Sequence, residues 1–199
     1  LTGMARAATG VDLQADLLDH LGPTAGFYGS RGTGGGGLLS SVAFVETDAP
    51  ERVARSVRHM ARSLAALAAP RSDGRVGLRE WRRGDVECTS LVFPGLPVPI
   101  EPSWAVAGDA LFVAAGPGAL AGALDQLGAG TGLLDHPSLA GELEPPADLA
   151  RFAFTDTAHF VERGYAPLSL LASALTNALR VPAGAEDAAW KLRNSRVEI

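Results

Sequence analysis

Lysine is almost absent from this chain, and basic charge is in deficit. Lys191 is the only lysine, and 17 Lys and Arg residues are outnumbered by 22 Asp and Glu, which gives a net charge of −5. Domains that bind nucleic acid normally carry a basic surplus. The charge balance therefore argues against nucleic acid as a partner.

Cysteine is nearly absent as well. Cys88 is the only one, which excludes an internal disulfide bond and a cysteine-based metal site. It lies in the segment DVECTSLVF, whose pattern indicates a strand. A small buried hydrophobic side chain is expected there rather than a nucleophile.

The chain also lacks an uninterrupted membrane span. Residues 104–124 carry a single charge, Asp109, and have about the length that a spanning helix needs. Gly108-Asp109 is typical of a turn, however, and Gly116-Pro117-Gly118 would interrupt a helix. The segment is therefore predicted to form strand, turn, strand and helix, with no transmembrane segment in this chain.

What is present suits a folded domain. The residues are 47% hydrophobic and 20% charged, enough apolar material for a core, and 24 glycines predict many turns. We expect a single α+β domain over residues 1–199, with 1–95 and 96–199 as an alternative division into halves. The chain begins at Leu1 and ends in the strand-like RNSRVEI, so it is expected to be a fragment of a longer protein.

Local patterns predict hairpins and amphipathic helices. Helices are expected over residues 11–21, after an N-cap at Asp48, over 117–128 and over 166–179. Strands are expected in AGFYGS, in LLSSVAFVET and over 150–157, and hairpins are expected to turn at Arg83-Gly84-Asp85 and at Gly108-Asp109. Together they predict an antiparallel sheet built from hairpins with the helices packed on one face, and with a ββα unit as a candidate repeat.

The helix after Asp48 has two contrasting sides. Its apolar residues recur at helical spacing and predict one buried stripe: Val53, Val57, Met60, Leu64 and Leu67. In the helix over 117–128, Leu120, Leu124 and Leu127 are expected to point inward. The arginines of the helix after Asp48 lie away from its apolar stripe: Arg52, Arg55, Arg58 and Arg62. This row predicts a solvated face, and a surface for an acidic partner is the alternative.

The segment YGSRGTGGGGLL resembles a nucleotide-binding loop, because Gly32, Gly34 and Gly37 fit G-x-G-x-x-G. That motif needs a helix opening inside the loop, and the residues that follow have the pattern of a strand. A phosphate-binding loop needs Lys and then Ser or Thr after its last glycine, where this chain has Leu38-Leu39. A hairpin tip is predicted, and no nucleotide cofactor.

No motif assembles a catalytic or metal site. Asp156 and His159 have a spacing that could place both on one metal, but no second pair completes a site. The chain contains no H-E-x-x-H, G-x-S-x-G or S-x-x-K, and Ser169 lies in an apolar helix pattern. No catalytic, cofactor-binding or metal-ligating residue is assigned, and a non-enzymatic role is favoured.

Two segments carry a resemblance to a known family: ATGVDLQADLLDHLG near the start of the chain, and PSWAVAGDALFVAAGPGALAGALDQ further on. The first is similar to the opening, and the second to the later hairpin and helix, of a bacterial domain-of-unknown-function family, the one numbered 3352. VAFVETDAPERVARSVRHM fits its strand-helix step, so that the resemblance covers about residues 5–180. It implies an envelope-associated protein without an established activity, and it offers no site residue.

Three functions follow as hypotheses. The first is an extracytoplasmic domain of a bacterial envelope protein, held there or anchored by N-terminal sequence outside this chain, that binds or scaffolds another envelope protein; a cytoplasmic location is the alternative. The second is a module that binds a hydrophobic, lipid-like ligand in an apolar cavity. The third is a hydrolase completed by sequence outside this chain, which predicts His136 or His159 within hydrogen-bond reach of a carboxylate in a pocket.

Overall fold

The computed structural model describes residues 9–34, 38–72, 76–93, 100–130 and 151–156, and positions 132, 135, 136, 139, 169, 172, 173 and 176. Within them the regular elements follow one another in this order: α1 (Leu13–Asp16), β1 (Leu21–Tyr28), β2 (Val42–Thr47), α2 (Pro50–Ala68), β3 (Gly77–Arg83), β4 (Val86–Val92), β5 (Ser103–Ala107), β6 (Ala110–Ala114) and α3 (Pro117–Ala129). Short 3₁₀ turns occupy Leu18–His20, Leu38–Ser40 and Ala69–Arg71.

The six strands form one antiparallel sheet in the order β1-β2-β6-β5-β4-β3. β3 and β4 form a hairpin that turns at residues 84–85, and β5 and β6 form another that turns at Gly108, where φ is +56°. Both turns lie where the sequence predicted them. The α+β class and the antiparallel sheet built from hairpins are confirmed, and strands from both sides of residue 96 belong to this one sheet.

The two long helices lie on opposite faces of the sheet, which differs from the expected packing on one face. α3 packs on a cluster that includes Val42, Ala105 and Phe112, whereas α2 packs on Leu111 and Trp104. Neighbouring strand residues point to opposite faces. The central strands therefore carry apolar side chains on both faces, and each face requires its own cover.

The order strand, strand, helix occurs twice, as β1-β2-α2 and as β5-β6-α3. β2 pairs antiparallel with β6 at the centre of the sheet, and the two helices leave on opposite faces. Each unit can be viewed from the side on which its helix packs, with its second strand pointing up. In that view the first strand lies to the left of the second strand in one unit and to the right of it in the other. The repetition therefore holds for the order of the elements but not for their arrangement in space.

The N-terminal helix is shorter than the predicted 11–21. α1 begins after Asp12, whose Oδ1 accepts hydrogen bonds from the backbone N–H groups of Gln14 and Ala15. It ends at Leu17, whose φ of −132° leaves the helical region. β1 already begins at Leu21, so the strand takes residues that the periodicity had assigned to the helix.

The N-terminus of α2 also differs from the prediction. The N-cap position is Ala49 rather than Asp48, and Pro50 opens the helix. The backbone N–H of Ala49 donates to Thr47 Oγ1 at 3.1 Å. Asp48 instead bonds to His20.

Some leucines of the predicted buried stripes face solvent. Val53 and Val57 are buried under α2, but Leu64 is 52% and Leu67 is 48% exposed. On α3, Leu120 and Leu124 are buried, whereas Leu127 is 49% exposed. In both helices the buried residues lie in the first part of the predicted stripe and the exposed leucines follow them.

Predictions for the last quarter of the chain can be compared with the structure only where its residues are described. The strand expected over 150–157 was wrong where it is described, because residues 151–156 have no regular structure. The helix expected over 166–179 has four described positions, Ser169, Ala172, Ser173 and Thr176, and all four are helical and exposed. In the described part of the chain, no helix combines the length and apolarity needed to cross a membrane.

The glycine-rich segment is not a free hairpin tip, because its first half packs against α3. Thr33 is 1% exposed, and its Oγ1 accepts from the backbone N–H of Ser30 at 2.8 Å. Gln126 Nε2 donates to Ser30 Oγ at 2.9 Å. The backbones meet where a Cβ added at Gly122 would lie only 2.0 Å from Gly32 O. Gly122 therefore has to remain without a side chain.

We expect Gly122→Ala to destabilise the fold by about 2 kcal/mol or more, because the added methyl group meets rigid backbone. For a chain of this size the thermal midpoint should fall by roughly 4 to 8 °C. Gly118→Ala is the matched control, since a Cβ there meets nothing within 4 Å. It should leave the midpoint unchanged or raise it slightly. Equal midpoints for the two variants would contradict the close approach of the backbones.

Candidate functional site

The hydrolase hypothesis expected His136 or His159 within hydrogen-bond reach of a carboxylate, and the contact that His136 makes with Asp156 is loose. His136 Nε2 lies 3.7 Å from Asp156 Oδ2, beyond hydrogen-bond reach, and about a third of each side chain is exposed. The imidazole ring also lies 5.0 Å from the ring centre of Phe154. His159 lies outside the described residues, as does its expected pairing with Asp156. The described residues contain no group of three His, Cys, Asp or Glu side chains arranged to hold a metal ion.

Cys88 is buried, as its strand pattern predicted. Its side chain is 1% exposed beneath α3, and burial raises the pKa of the thiol. A thiolate is the reactive form of cysteine, so this environment keeps the side chain in its unreactive form. The position acts as part of the core.

Native protein should therefore leave Cys88 unmodified by an aromatic disulfide reagent, at least about a hundredfold slower than the denatured chain, because reaction requires local opening. Thiol release followed at 412 nm measures this. The control is the double variant Cys88→Ala with Ala129→Cys, whose new thiol lies at an exposed position. It should react at a similar rate before and after denaturation. Rapid labelling of native Cys88 would contradict its place in the core.

Two buried serines next to Cys88 belong to a fixed hydrogen-bond chain. Trp81 Nε1 donates to Ser90 Oγ at 2.9 Å, and Ser90 Oγ lies 2.8 Å from Ser103 Oγ. Ser103 Oγ in turn donates to the carbonyl of Glu101 at 2.7 Å. Both serine hydroxyls in this series of hydrogen bonds have a partner, and both serines are fully buried. Their role is structural, and no sequence motif had indicated it.

His20 has both ring nitrogens engaged. Nδ1 lies 3.0 Å from Asp48 Oδ1, and Nε2 lies 3.1 Å from a guanidinium nitrogen of Arg52. Because a guanidinium can only donate, Nε2 accepts and the proton stays on Nδ1, which donates to Asp48. The same guanidinium lies 3.7 Å from Asp16. A nitrogen that already accepts from Arg52 is not available as a general base, although Asp48 orients the ring.

The arginine row of α2 forms one side of a broad groove of about 570 Å³. The opposite wall is the segment Thr9–Val11, in which Thr9 and Val11 are buried. Ser63 Oγ holds this wall by donating to the carbonyl of Thr9 at 3.2 Å. The lining of the whole groove is mainly basic and polar: Gly10, Val11, Asp16, Arg52, Arg55, Ser56, Arg58, His59 and Arg62. We call this the α2 groove.

Two arginines of the α2 groove are held by carboxylates of the sheet. Arg58 contacts Glu87 on β4 at 2.5 Å, and Arg62 contacts Glu80 on β3 at 2.5 Å. The Arg62 guanidinium lowers the pKa of Glu80 through their hydrogen bond. These pairs fix the two guanidinium groups but leave them exposed to solvent. On the other face, Arg83 binds Asp125 of α3 through two hydrogen bonds of 2.8 and 2.5 Å, which lowers the pKa of that carboxyl.

Arg55 and His59 differ from their neighbours in the groove. Among the described residues neither of them forms an ion pair. His59 faces the wall closely, since a Cβ added at Gly10 would lie 3.3 Å from its Nε2. Gly10 has φ +72°, a backbone conformation that favours glycine. The arrangement offers a guanidinium and an imidazole next to a fixed wall, which suits an anion and provides no nucleophile.

The α2 groove corresponds to the arginine row that the sequence showed, but its wall was missed. Thr9–Val11 lies more than 40 residues before Arg55 in the chain, and no local pattern links the two. No protein-family model, no curated protein and no solved structure matches the chain significantly. The resemblance to the family numbered 3352 therefore stays a prediction.

Proposed function

We propose that this chain is a non-enzymatic binding or scaffolding domain of a bacterial envelope protein that works outside the cytoplasm. The observation that carries the binding role is the α2 groove, an exposed and walled surface with arginines on one side. The bacterial and extracytoplasmic parts depend on the family resemblance alone.

The use of charge in the described residues supports a binding role over catalysis. Ion pairs tie α2 to β3 and β4, and another ties α3 to β3. Such pairs hold layers together without gathering an acid, a base and a nucleophile around one point. The His20 imidazole is oriented by its bond to Asp48, but its second nitrogen is occupied by Arg52.

The hydrophobic-ligand hypothesis receives support only from the surface. On the α2 face of the sheet, Phe27, Ala43 and Val113 lie side by side on neighbouring strands and form an apolar row. Phe27 is 72% exposed and Val113 is 43% exposed. The hollow between α2 and the sheet has about 20 Å³, room for one water molecule. Ligand pockets measure several hundred Å³. An apolar row of this kind is better suited to contact with another protein than to enclosure of a lipid.

Site-specific cross-linking tests the binding role. A photoreactive benzoylphenylalanine in place of Ser56, which lines the α2 groove and leaves its arginines intact, should form a discrete adduct in living cells of the source bacterium. The same residue at position 127, on the exposed side of α3, is the control and should form none. Identical patterns at both positions, or no adduct at position 56, would contradict a binding role for this surface.

The location is tested separately, with alkaline phosphatase fused after the full-length gene product. That reporter needs disulfide bonds, which form outside the cytoplasm and rarely inside it. The proposal predicts phosphatase activity comparable to that of an exported control protein. Activity at the level of a cytoplasmic control would remove the extracytoplasmic part and leave the binding role untouched.

A further inference from the structure

We infer that the α2 groove binds an acidic peptide segment in extended conformation, with Arg55 and His59 as its main anchors. This inference rests on the proposed binding function and names the class of partner. It would turn the arginine row from a solvated face into a recognition surface.

Two side chains of the groove, Arg55 and His59, can accept a new partner. Arg58 and Arg62 already contact Glu87 and Glu80, and Arg52 is shared between His20 and Asp16. These three arginines are therefore held by partners within the fold. Arg55 and His59 form no ion pair with any described residue, so a carboxylate can bind them without displacing an internal partner. A carboxylate is well matched to the forked donors of a guanidinium.

The length of the groove suits an extended peptide. The four outward positions 52, 55, 59 and 62 extend over about 15 Å of helix, since each residue rises about 1.5 Å. Hydrogen-bond donors spread along a line do not converge on one point, as the donors of a site for a single phosphate would. In an extended peptide, every second side chain lies on one side at intervals of about 6.6 Å. Two or three such intervals match the length of the groove.

The groove carries little uncompensated charge. The groove holds four arginines, and Asp16, Glu80 and Glu87 offset three of them. Polyanions such as nucleic acid gain affinity by releasing many counterions to many free cations. A groove with so little uncompensated charge, in a chain of net charge −5, suits a few carboxylates placed one by one.

The test uses a fluorescein-labelled peptide, acetyl-Glu-Ser-Glu-Ser-Glu-Ser-Glu-amide, titrated with the complete 199-residue chain at about 50 mM salt. Fluorescence anisotropy should show saturable binding that weakens as salt is raised. The peptide with Gln in place of every Glu should not bind. Arg55→Gln and His59→Gln should each lower the affinity, with a loss of about tenfold for Arg55→Gln, in line with the loss of a charged hydrogen bond.

Arg31→Gln is the matched control for charge. Arg31 is exposed in the loop next to α3, on the opposite side of the sheet from the α2 groove. Its replacement should therefore change the affinity for the peptide by less than twofold. Thermal unfolding of each variant verifies that it is folded. A charge-reversed variant, Arg55→Glu, should lose the acidic peptide altogether while keeping its unfolding midpoint.

Failure has distinct outcomes. If the acidic peptide does not bind, or if Arg55→Gln binds as well as the unchanged chain, the inference is wrong. Tighter binding of polyphosphate than of the peptide would also overturn it and point to a different polyanion. If the cross-link at position 56 forms while the peptide fails, the binding role stands and only the class of partner is wrong. If both fail, the proposed function falls with the inference.

Discussion

The central strands of this sheet carry apolar side chains on both faces, and the rest of the architecture depends on that constraint. β6 places Phe112 toward α3 and Leu111 toward α2, and β5 alternates in the same way. An antiparallel sheet can leave one face to solvent only when its strands alternate between apolar and polar side chains. Here both faces need cover, so one helix is committed to each, and the outer side of each helix becomes protein surface.

That surface differs between the two helices, and the difference decides where a partner could bind. The first half of the glycine-rich segment approaches α3 closely at one point, where the Gly32 and Gly122 backbones leave no room for a side chain between them. α2 instead has the segment Thr9–Val11 beside it, which leaves an open groove along the arginine row. A row of cations on a bare helix is a solvated face. The same row next to a fixed wall has the geometry to orient a ligand.

The sequence indicated the type of most described elements, and it failed where distant residues decide. Both hairpin turns were predicted because Gly-Asp pairs act locally. Helical spacing identified the apolar sides of α2 and α3, but it cannot show how far the neighbouring sheet extends, so Leu64, Leu67 and Leu127 were wrongly assigned to the interior. The alternation along single strands predicted a sheet without revealing that its two faces are both covered. The arginines of the groove were visible in the sequence, whereas the wall was not.

The bond between Asp48 and His20 shows the same limit at the level of one residue. Asp48 has the side chain and the position of an N-cap, and the local pattern assigns it that role. Thr47 supplies the hydroxyl that accepts from Ala49 instead, and the Asp48 carboxylate is drawn to an imidazole 28 residues earlier. This bond sets the tautomer of His20, and the tautomer lets His20 accept from Arg52. Because Asp48 bonds to His20 and does not cap the helix, Arg52 is bound within the fold through His20. Arg55, further along the helix, remains available to contact a ligand in the groove.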